Sequence, residues 1–468
     1  MNSFFEKFLE NRFWVNVGGV LFFLILGIMV FSSGLASPEG RQFTWVLTAV
    51  FGAWGCVQLL HKLPSWSKNR LQYGILVVSF FVVLWSYVYL LPPSYLGNNW
   101  VLKGVQPTLN DVVPAALAWD QEAAALGFSQ LIASFFFLVG CTALARNEYG
   151  RFQLFWGVLA VALVQGVLGL FTQNFGGSRT IGVLVNPNHH AASLFMGIPL
   201  LIAWLKESGR RSQERILLPV ERDFTGICYV LLFLLGISWL TTFSRTSLLL
   251  GWIALTAWGV WEILGKAHFK VVEPEDSSRR AGLLNKFLLL GAVSGLMIIA
   301  IQLFVDSGRG RAINQSEDVL SRLSYWKASF QGLQETNFFG MGIGGSRYAI
   351  NRYITDFALP SEPVFTHNDL LQWICDLGIV GGVFLLLLWV LFAGILYQAF
   401  KKDWSSHGRW RERRIWRAIL VAFIVTWLHA LTDFHLRVPL VSFQLIAIFA
   451  LLSSLPRIRC ADLFMNMR

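Results

Sequence analysis

The chain has 468 residues, of which 55% are hydrophobic and only 14% are charged. Soluble domains carry about 25% charged residues, so this composition excludes an ordinary soluble protein and indicates an integral membrane protein. The net charge of +11 requires no nucleic-acid partner, because basic loops beside membrane helices suit an anionic membrane surface. The five cysteines are scattered without a CxxC pair, which favours neither a disulfide framework nor a zinc site built from them.

Hydrophobic runs of about 20 residues, the length needed to cross a bilayer, recur along the chain. They predict an all-α polytopic membrane protein with about twelve transmembrane helices. Residues 1–468 are predicted to form a single integral membrane domain, because no linker to a soluble domain is evident. The first run follows Lys7 and Arg12 like a signal peptide, but its apolar part is too long for one, so we interpret it as a helix. The predicted spans lie near residues 13–33, 43–61, 71–91, 123–145, 152–172, 189–205, 225–243, 247–265, 283–305, 371–400, 416–433 and 439–456.

Lysine and arginine residues in the loops predict the orientation of the chain. With the N-terminus in the cytoplasm, the inside segments hold 27 of the 38 basic residues and the outside segments hold the other 11. Both termini are therefore predicted to be cytoplasmic, and residues 306–370 form one long external loop. Within this loop, residues 316–336 place apolar side chains at helical spacings, which predicts a short amphipathic helix lying at the membrane interface.

Three arginines on the predicted external face stand in short polar motifs. Arg179 lies in "GGSRTIGVLVNPNHHA", Arg245 in "TTFSRTSLLL" and Arg322 in "LSRLSYW". An arginine at the end of a span either anchors that span at the interface or meets an anion. Three of them on the external face favour a shared anionic ligand, since the guanidinium group suits bidentate phosphate contacts. The anchor interpretation stays open for each residue.

The segment "NPNHHAASLFMG" (residues 186–197) reads as a turn into a helix. Asn188 is expected to cap the span that begins near His189. A simple capped helix start is one interpretation. The other is an anion site, because the first backbone N–H groups of a helix lack intrahelical partners. Both can hold together.

A polar triplet precedes the long apolar run of "PVFTHNDLLQWICDLGIVGG". The pattern "THND" (residues 366–369) fits a capping box, with Thr366 as the cap and Asp369 reciprocating. His367 then falls in the first turn, where the helix dipole disfavours an imidazolium ion. A neutral imidazole is what a general base requires, and a histidine that only supports the cap is the alternative.

The order, spacing and side of these motifs resemble the O-antigen ligase and O-antigen polymerase superfamily of bacterial envelope glycosyltransferases. The resemblance rests on about a dozen spans, a long external loop before the third-last span, and four motifs: "SRTIGVLVNPNH", "SRTSLL", "SRLSYWKASFQGLQETNFFGMGIGG" and "HNDLLQWICDLGIVGG". It implies a GT-C-like membrane fold in the bacterial inner membrane with a periplasmic active site. It also implies a metal-independent transferase that uses a polyprenyl-pyrophosphate-linked glycan as donor.

The resemblance also implies roles for individual residues. His367 would be the base that deprotonates the acceptor hydroxyl, and Arg179, Arg245 and Arg322 would hold the pyrophosphate. Asn188 and Asn368 are expected beside the substrate. An acidic family position falls on Asp376, whose role the sequence leaves open.

Neither a metal nor a cofactor is expected. The charge on a pyrophosphate leaving group must be stabilised by a divalent metal or by fixed cations. The acidic segment "WDQE" (residues 119–122) is the one external candidate for a metal site, and it is a weak match. The three arginines are therefore expected to supply the positive charge.

Three acceptors are compatible with the family. We predict an O-antigen ligase with a lipid A-core acceptor, while a polymerase that extends another glycan and a protein O-oligosaccharyltransferase remain open. The expected partners are the lipid-linked donor, the acceptor and membrane lipids, with no nucleic acid. A competing class is a flippase or transporter for an anionic lipid, which favours internal repeats and charges near the membrane midplane.

Overall fold

The structure, a computed structural model, describes residues 12–31, 38–61, 70–91, 117–174, 181–184, 186–213, 219–268, 311–354, 365–405 and 414–454. These residues form helices and a few short turns, and no strand occurs among them. The predicted all-α class is therefore confirmed for this part of the chain.

The helices follow the apolar runs closely. Eleven of the twelve predicted spans coincide with a helix, and the remaining one, 283–305, lies outside the described residues. In chain order the helices are α1 (Arg12–Phe31), α2 (Pro38–His61), α3 (Arg70–Val88), α4 (Gln121–Ala145), α5 (Glu148–Asn174), α6 (Pro187–Gln213), α7 (Pro219–Thr241), α8 (Arg245–His268), α9 (Arg311–Glu335), α10 (Ser346–Tyr353), α11 (Asp369–Ser405), α12 (Arg414–Ala430) and α13 (Pro439–Ser454). Short 3₁₀ turns at Gly182–Leu184 and His435–Arg437 precede α6 and α13.

Seven of the described helices, α1 to α5, α8 and α11, are long and apolar enough to cross a membrane. This agrees with a polytopic membrane protein, while the number of spans and their orientation remain predictions. Many large apolar side chains on the outer helices are exposed, among them Phe31, Phe171, Phe233 and Leu386. A face of this kind suits contact with lipid.

The centre of the bundle is built from α6, α12 and α13. Most side chains of these helices are buried, including Phe195 of α6, Ile419 of α12 and Phe443 of α13, while Ile424 and Leu428 of α12 are exposed. A helix that is buried all round is enclosed by other helices, and α6 packs against α5, α7 and α12. The first turn of α6 and the last turn of α12 are thus held in fixed positions.

The segment 311–354 contains the predicted amphipathic helix, which the structure shows as α9. The predicted apolar stripe is divided between two environments: Leu333 is buried, whereas Leu323 and Phe330 are exposed. The buried face packs against α10 and α11. Its placement at the membrane interface stays a prediction.

Helix α11 is broken at Gly378, where φ is 66° and ψ is −166°. Only glycine adopts this backbone conformation readily. A Cβ atom at this position would also lie 1.9 Å from the carbonyl oxygen of Phe339. The glycine therefore allows the loop after α9 to approach the helix backbone directly.

That loop, residues 336–345, supplies donors to the carbonyl groups that the break leaves without helical partners. The indole of Trp85, on α3, donates to a third carbonyl group of α11. The hydrogen bonds are Met341 N to Cys375 O at 3.0 Å, Gly342 N to Asp376 O at 2.9 Å, and Trp85 Nε1 to Leu377 O at 2.8 Å. The glycine-rich part of the sequence thus completes the broken helix.

The carboxylate of Asp376 joins four parts of the chain. It accepts hydrogen bonds from Ser346 Oγ at 2.9 Å, Gly344 N at 3.2 Å and Gln372 Nε2 at 3.2 Å, and it forms an ion pair with Arg437. A buried charge is tolerated when it is paired and hydrogen-bonded in this way. The structure therefore gives Asp376 a structural role that the sequence left open.

A second buried charge cluster lies at the opposite end of the bundle. Glu262 Oε1 lies 2.6 Å from Arg417 Nε, and Glu262 Oε2 lies 3.5 Å from Arg414 Nε. Arg414 also lies 4.0 Å from Glu207. These contacts join α6, α8 and α12 at the ends predicted to face the cytoplasm.

Candidate functional site

His367 lies just before α11 rather than in its first turn. Its φ of 54° is left-handed, and Asn368 is the true cap because its Oδ1 accepts a hydrogen bond from Leu371 N at 3.0 Å. The predicted capping box of Thr366 and Asp369 is therefore wrong. Asparagine is at least as good an N-cap as threonine, and it moves the helix start to Asp369.

Thr366 and Asp369 make other contacts instead. The Thr366 hydroxyl donates to the Asn368 carbonyl at 3.0 Å, and its backbone N–H donates to Gln372 Oε1 at 2.8 Å. Asp369 Oδ2 accepts the backbone N–H of Leu436 at 2.8 Å. These contacts fasten the start of α11 to the turn between α12 and α13.

The predicted cap of α6 is also wrong by two residues. The helix begins at Pro187, and Asn186 Oδ1 accepts the Asn188 N–H at 2.8 Å. Asn188 is consequently available for a tertiary contact, and its side-chain amide donates to Asp433 Oδ2 at 2.7 Å. This aspartate is also the partner of His367.

Asp433, in the turn after α12, is the partner of His367. Its Oδ1 lies 3.2 Å from His367 Nδ1. A carboxylate only accepts hydrogen bonds, so Nδ1 carries the proton and Nε2 is left as the basic nitrogen. The His367 side chain is 29% exposed while that of Asp433 is 1% exposed. A substrate can therefore reach the imidazole, and the carboxylate stands behind it.

The charge state of Asp433 follows from its neighbours. Burial alone would raise its pKa, but the imidazoles of His189 and His367 that face it, with His435 nearby, lower the pKa well below the usual range. Asp433 is therefore ionised at neutral pH. An ionised carboxylate stabilises the imidazolium that forms when His367 takes a proton.

Helix α9 contacts both segments that carry the site residues, the one before α11 and the one after α12. Arg322 Nη1 donates to the carbonyl of Thr432 at 2.8 Å, and Trp326 Nε1 donates to the carbonyl of Thr366 at 2.8 Å. The ring of Tyr325 stacks over His367 with centroids 6.3 Å apart. Arg322, one of the arginines predicted to bind phosphate, therefore contacts the residue next to Asp433 and lies on the same helix as Tyr325, whose ring stacks on His367.

Of the other two arginines predicted to bind phosphate, the structure describes only one. Arg179 lies outside the described residues. Arg245 is the first residue of α8 and is exposed. Ser238 in α7 lies 3.4 Å from His190 in the first turn of α6, so the turn that carries Arg245 is at the same end of the bundle as His367.

Asp120 of the "WDQE" segment is the N-cap of α4. Its Oδ1 accepts the Ala123 N–H at 2.9 Å. This hydrogen bond accounts for the aspartate at that position. The helix start therefore explains this part of the acidic segment.

Three further histidines surround Asp433. His189 comes from α6, His429 from the end of α12 and His435 from the 3₁₀ turn, and all are buried. Burial, together with the neighbouring His429, lowers the pKa of His435 well below its usual value. Sequence reasoning missed Asp433, His429 and His435, although "LHALTDFHLR" between two apolar runs holds two histidines and an aspartate within seven positions.

An apolar cavity of about 250 Å³ lies beside this turn. Its walls come from α3, α4, α11, α12 and α13 and include Trp373, Trp389, Trp427 and Phe449. Arg437, four residues after Asp433, lines the same cavity. The site therefore combines a polar group built on His367 with an adjoining apolar space.

Residues 230–386 match the family model described as "O-Antigen ligase". This part of the chain is therefore similar to the O-antigen ligase family. The resemblance expected from the motifs is confirmed. No curated protein shows significant similarity to the chain.

The O-antigen ligase match covers only part of the site. It contains Arg245, Arg322 and His367, whereas Asn188 and Asp433 lie outside it. Tertiary structure brings the two outside residues to the domain. This family includes enzymes of the glycosyltransferase type, so the match supports an O-antigen ligase or polymerase type of activity.

Proposed function

We propose that the protein transfers a glycan from a polyprenyl-pyrophosphate donor to an acceptor hydroxyl at the periplasmic face of the bacterial inner membrane. The observation that carries this proposal is the contact between the buried carboxylate of Asp433 and the Nδ1 of His367, a residue within the segment that matches the O-antigen ligase family. This arrangement leaves a basic nitrogen on a partly exposed ring. It is the arrangement required of a general base.

The reaction is a displacement at the first sugar of the donor. His367 Nε2 takes the proton of the acceptor hydroxyl while that oxygen forms a bond to the anomeric carbon. The bond between this carbon and the pyrophosphate oxygen breaks, and the polyprenyl pyrophosphate leaves with the bonding electron pair. Asp433 stabilises the resulting imidazolium ion.

The arginines stabilise the charge of the leaving group. Arg322 lies beside the His367 and Asp433 pair, and Arg245 lies at the same end of the bundle; with Arg179 they would hold the pyrophosphate oxygens. Fixed guanidinium groups supply this charge without a divalent metal. The apolar cavity beside Arg437 suits an isoprenoid chain attached to that pyrophosphate.

The alternative of a lipid transporter is less well supported. Glu262, Arg414 and Arg417 form a buried ionic cluster that joins α8 and α12 at the opposite end of the bundle. The residues around His367 all lie at one end. A site reached from one side only suits a transferase.

We propose the ligase type, with a lipid A-core acceptor. Mass spectrometry of envelope glycans from a deletion strain tests this choice. Loss of all long glycan from lipopolysaccharide supports a ligase, whereas lipopolysaccharide capped with single repeat units indicates a polymerase. Glycan missing from proteins alone indicates a protein O-oligosaccharyltransferase.

The orientation is tested by cysteine labelling. In a background without the native cysteines, Ser307→Cys is expected to react with an impermeant reagent added from outside, and Ser405→Cys is not. The reason is the distribution of basic residues between the two faces. The matched control is labelling after membrane disruption, where both variants should react. Reaction of Ser405→Cys alone from outside would place His367 in the cytoplasm and contradict the proposal.

Transfer is expected to proceed at an unchanged rate without added Mg²⁺ or Mn²⁺ and after brief exposure to EDTA. The arginines, rather than a metal, carry the leaving-group charge in this mechanism. The measurement is initial transfer rate with purified protein, donor and acceptor. Activity that is lost with EDTA and restored by Mg²⁺ or Mn²⁺ would instead implicate Asp120 and Glu122.

The variant Arg245→Lys is expected to weaken donor binding by roughly tenfold, because lysine keeps the charge but loses the planar, bidentate donor set. Donor affinity of the purified variant is the measurement. Arg352→Lys is the matched control, since Arg352 lies near Glu335, 3.9 Å away, and outside the site. Equal donor affinity in wild type and Arg245→Lys would return Arg245 to the role of an interfacial anchor.

A further inference from the structure

A compact group of nitrogen and oxygen ligands lies behind His367. His429 in the last turn of α12, Asp433 in the turn that follows and His435 in the 3₁₀ turn lie within seven consecutive residues. One ligand atom from each of the three lies within 4.8 Å of the others. The turn wraps these side chains around a common centre.

His189 approaches the same centre from α6. Its Nε2 lies 3.8 Å from Asp433 Oδ1, and its ring centroid lies 5.2 Å from that of His435. The exposed fractions of His189, His429, Asp433 and His435 are 3%, 1%, 1% and 0%. Four potential ligands thus meet in the interior of the bundle.

Several imidazole nitrogens of this group are buried without a hydrogen-bond partner among the described residues. They are His189 Nε2, His429 Nδ1, and both Nδ1 and Nε2 of His435. Buried polar atoms in folded proteins nearly always have a partner. His435 is the clearest case, because a fully buried ring with both nitrogens unsatisfied requires something to bind at least one of them.

We propose that His429, Asp433 and His435, with His189 as the fourth ligand, bind one divalent transition-metal ion of the Zn²⁺ type. Neutral imidazole nitrogens with one carboxylate are ligands for Zn²⁺, Co²⁺ or Ni²⁺, whereas Mg²⁺ and Ca²⁺ prefer oxygen ligands. Zinc bonds of about 2.0–2.1 Å place tetrahedral ligands about 3.4 Å apart. Binding would therefore draw the present group inward.

This ion would have a positioning role and would not act on the substrate. The four ligands are buried, so the ion would be enclosed behind Asp433 and out of contact with the donor pyrophosphate. Asp433 would then serve the ion and His367 together, and the ion would fix the carboxylate that orients the imidazole. The proposal departs from the expectation of no metal site. The metal site does not depend on the proposed function, because the ligand geometry alone supports it, whereas its positioning role rests on that function.

The test uses the full-length protein purified in detergent. Bound metal is first removed with a strong chelator, either by prolonged incubation or under mild denaturing conditions followed by refolding. Co²⁺ is then added, and the visible absorption bands of tetrahedral Co²⁺ are followed. Zn²⁺ content after gel filtration is measured in parallel. We expect about one ion per chain and a rise in thermal stability on adding metal.

The ligand variants are His435→Gln and His429→Gln, and the matched control is His190→Gln. His190 is a buried histidine adjacent to His189, but it lies 3.4 Å from Ser238 and outside the group. Metal affinity should fall at least about tenfold in the ligand variants and stay unchanged in the control.

Absence of both retained Zn²⁺ and a tetrahedral Co²⁺ spectrum in the wild type would overturn the proposal and leave water as the occupant. Equal metal affinity in wild type, His435→Gln and His429→Gln would overturn it as well. If a ligand variant does not fold, the wild-type spectrum still decides. None of these measurements involves glycan transfer, so failure of the proposed function would not be confused with failure of the metal site.

Discussion

The variant His367→Asn is expected to lower glycan transfer by about 10²–10⁴-fold, the usual contribution of general-base catalysis. Asparagine is the better replacement than alanine because it tolerates the left-handed backbone that His367 adopts, with φ of 54°. His367→Ala should show the same loss of transfer with an added cost in stability. Donor affinity should persist in both variants, because the arginines carry that interaction.

The measurement is in vitro transfer, with donor affinity and thermal stability determined for each protein. Thr366→Val is the matched control: it removes the hydrogen bond from the Thr366 hydroxyl to Asn368 O and keeps the imidazole. It should reduce stability slightly and leave transfer near the wild-type rate. Near wild-type transfer by His367→Asn would reject the base assignment. Lost transfer with a large fall in stability would favour a structural histidine.

The second large effect is expected for Asp433→Asn. The side chain keeps its shape, but its amide can donate to His367 Nδ1 and so place the proton on Nε2, where it blocks the base. Turnover should fall roughly 10²-fold or more, since an aspartate that fixes a catalytic histidine is worth at least this much in other enzymes. The KM for the donor should change little.

The kcat and KM of Asp433→Asn are therefore measured separately, together with thermal stability and metal content. A fall in kcat at constant KM supports a positioning role. A rise in KM without a change in kcat would contradict it. His435→Gln provides the comparison for loss of the proposed ion, because it removes one ligand and leaves the Asp433 carboxylate in place.

The helices were predictable because each one depends mainly on local composition. Long apolar runs mark α1 to α5 and α11 directly, and the helical spacing of apolar residues marks α9. What the spacing did not show is which apolar residues pack inward: Leu333 is buried, whereas Phe330 is exposed. That division depends on α10 and α11, which come later in the chain.

The helix starts were predicted less well, for a related reason. The segment "NPNHH" contains two residues able to cap and "THND" contains three, and local rules do not choose between them. The amide of Asn188 donates a hydrogen bond to Asp433, and the carboxylate of Asp369 accepts one from the Leu436 N–H. Contacts from the turn after α12 thus use the side chains that the sequence assigned to the caps.

His367 was predicted from its motif, but its partner was not. Asp433 lies 66 positions further along the chain, where the apolar pattern predicts the end of a membrane span. Spacing along a sequence carries no information about a contact of this length. A polar cluster interrupting two apolar runs was the available signal, because charged groups at such positions are costly without partners.

The break in α11 at Gly378 limits how the segment 311–354, which carries α9 and α10, can move. Its loop hydrogen-bonds to the carbonyls of Cys375 and Asp376, which lie within an apolar helix. Lifting this segment away would leave these groups unpaired, and unpaired backbone groups in apolar surroundings cost several kcal/mol each. The segment that stacks Tyr325 on His367 is therefore held rigidly against α11, and donor and acceptor must reach the imidazole without displacing it.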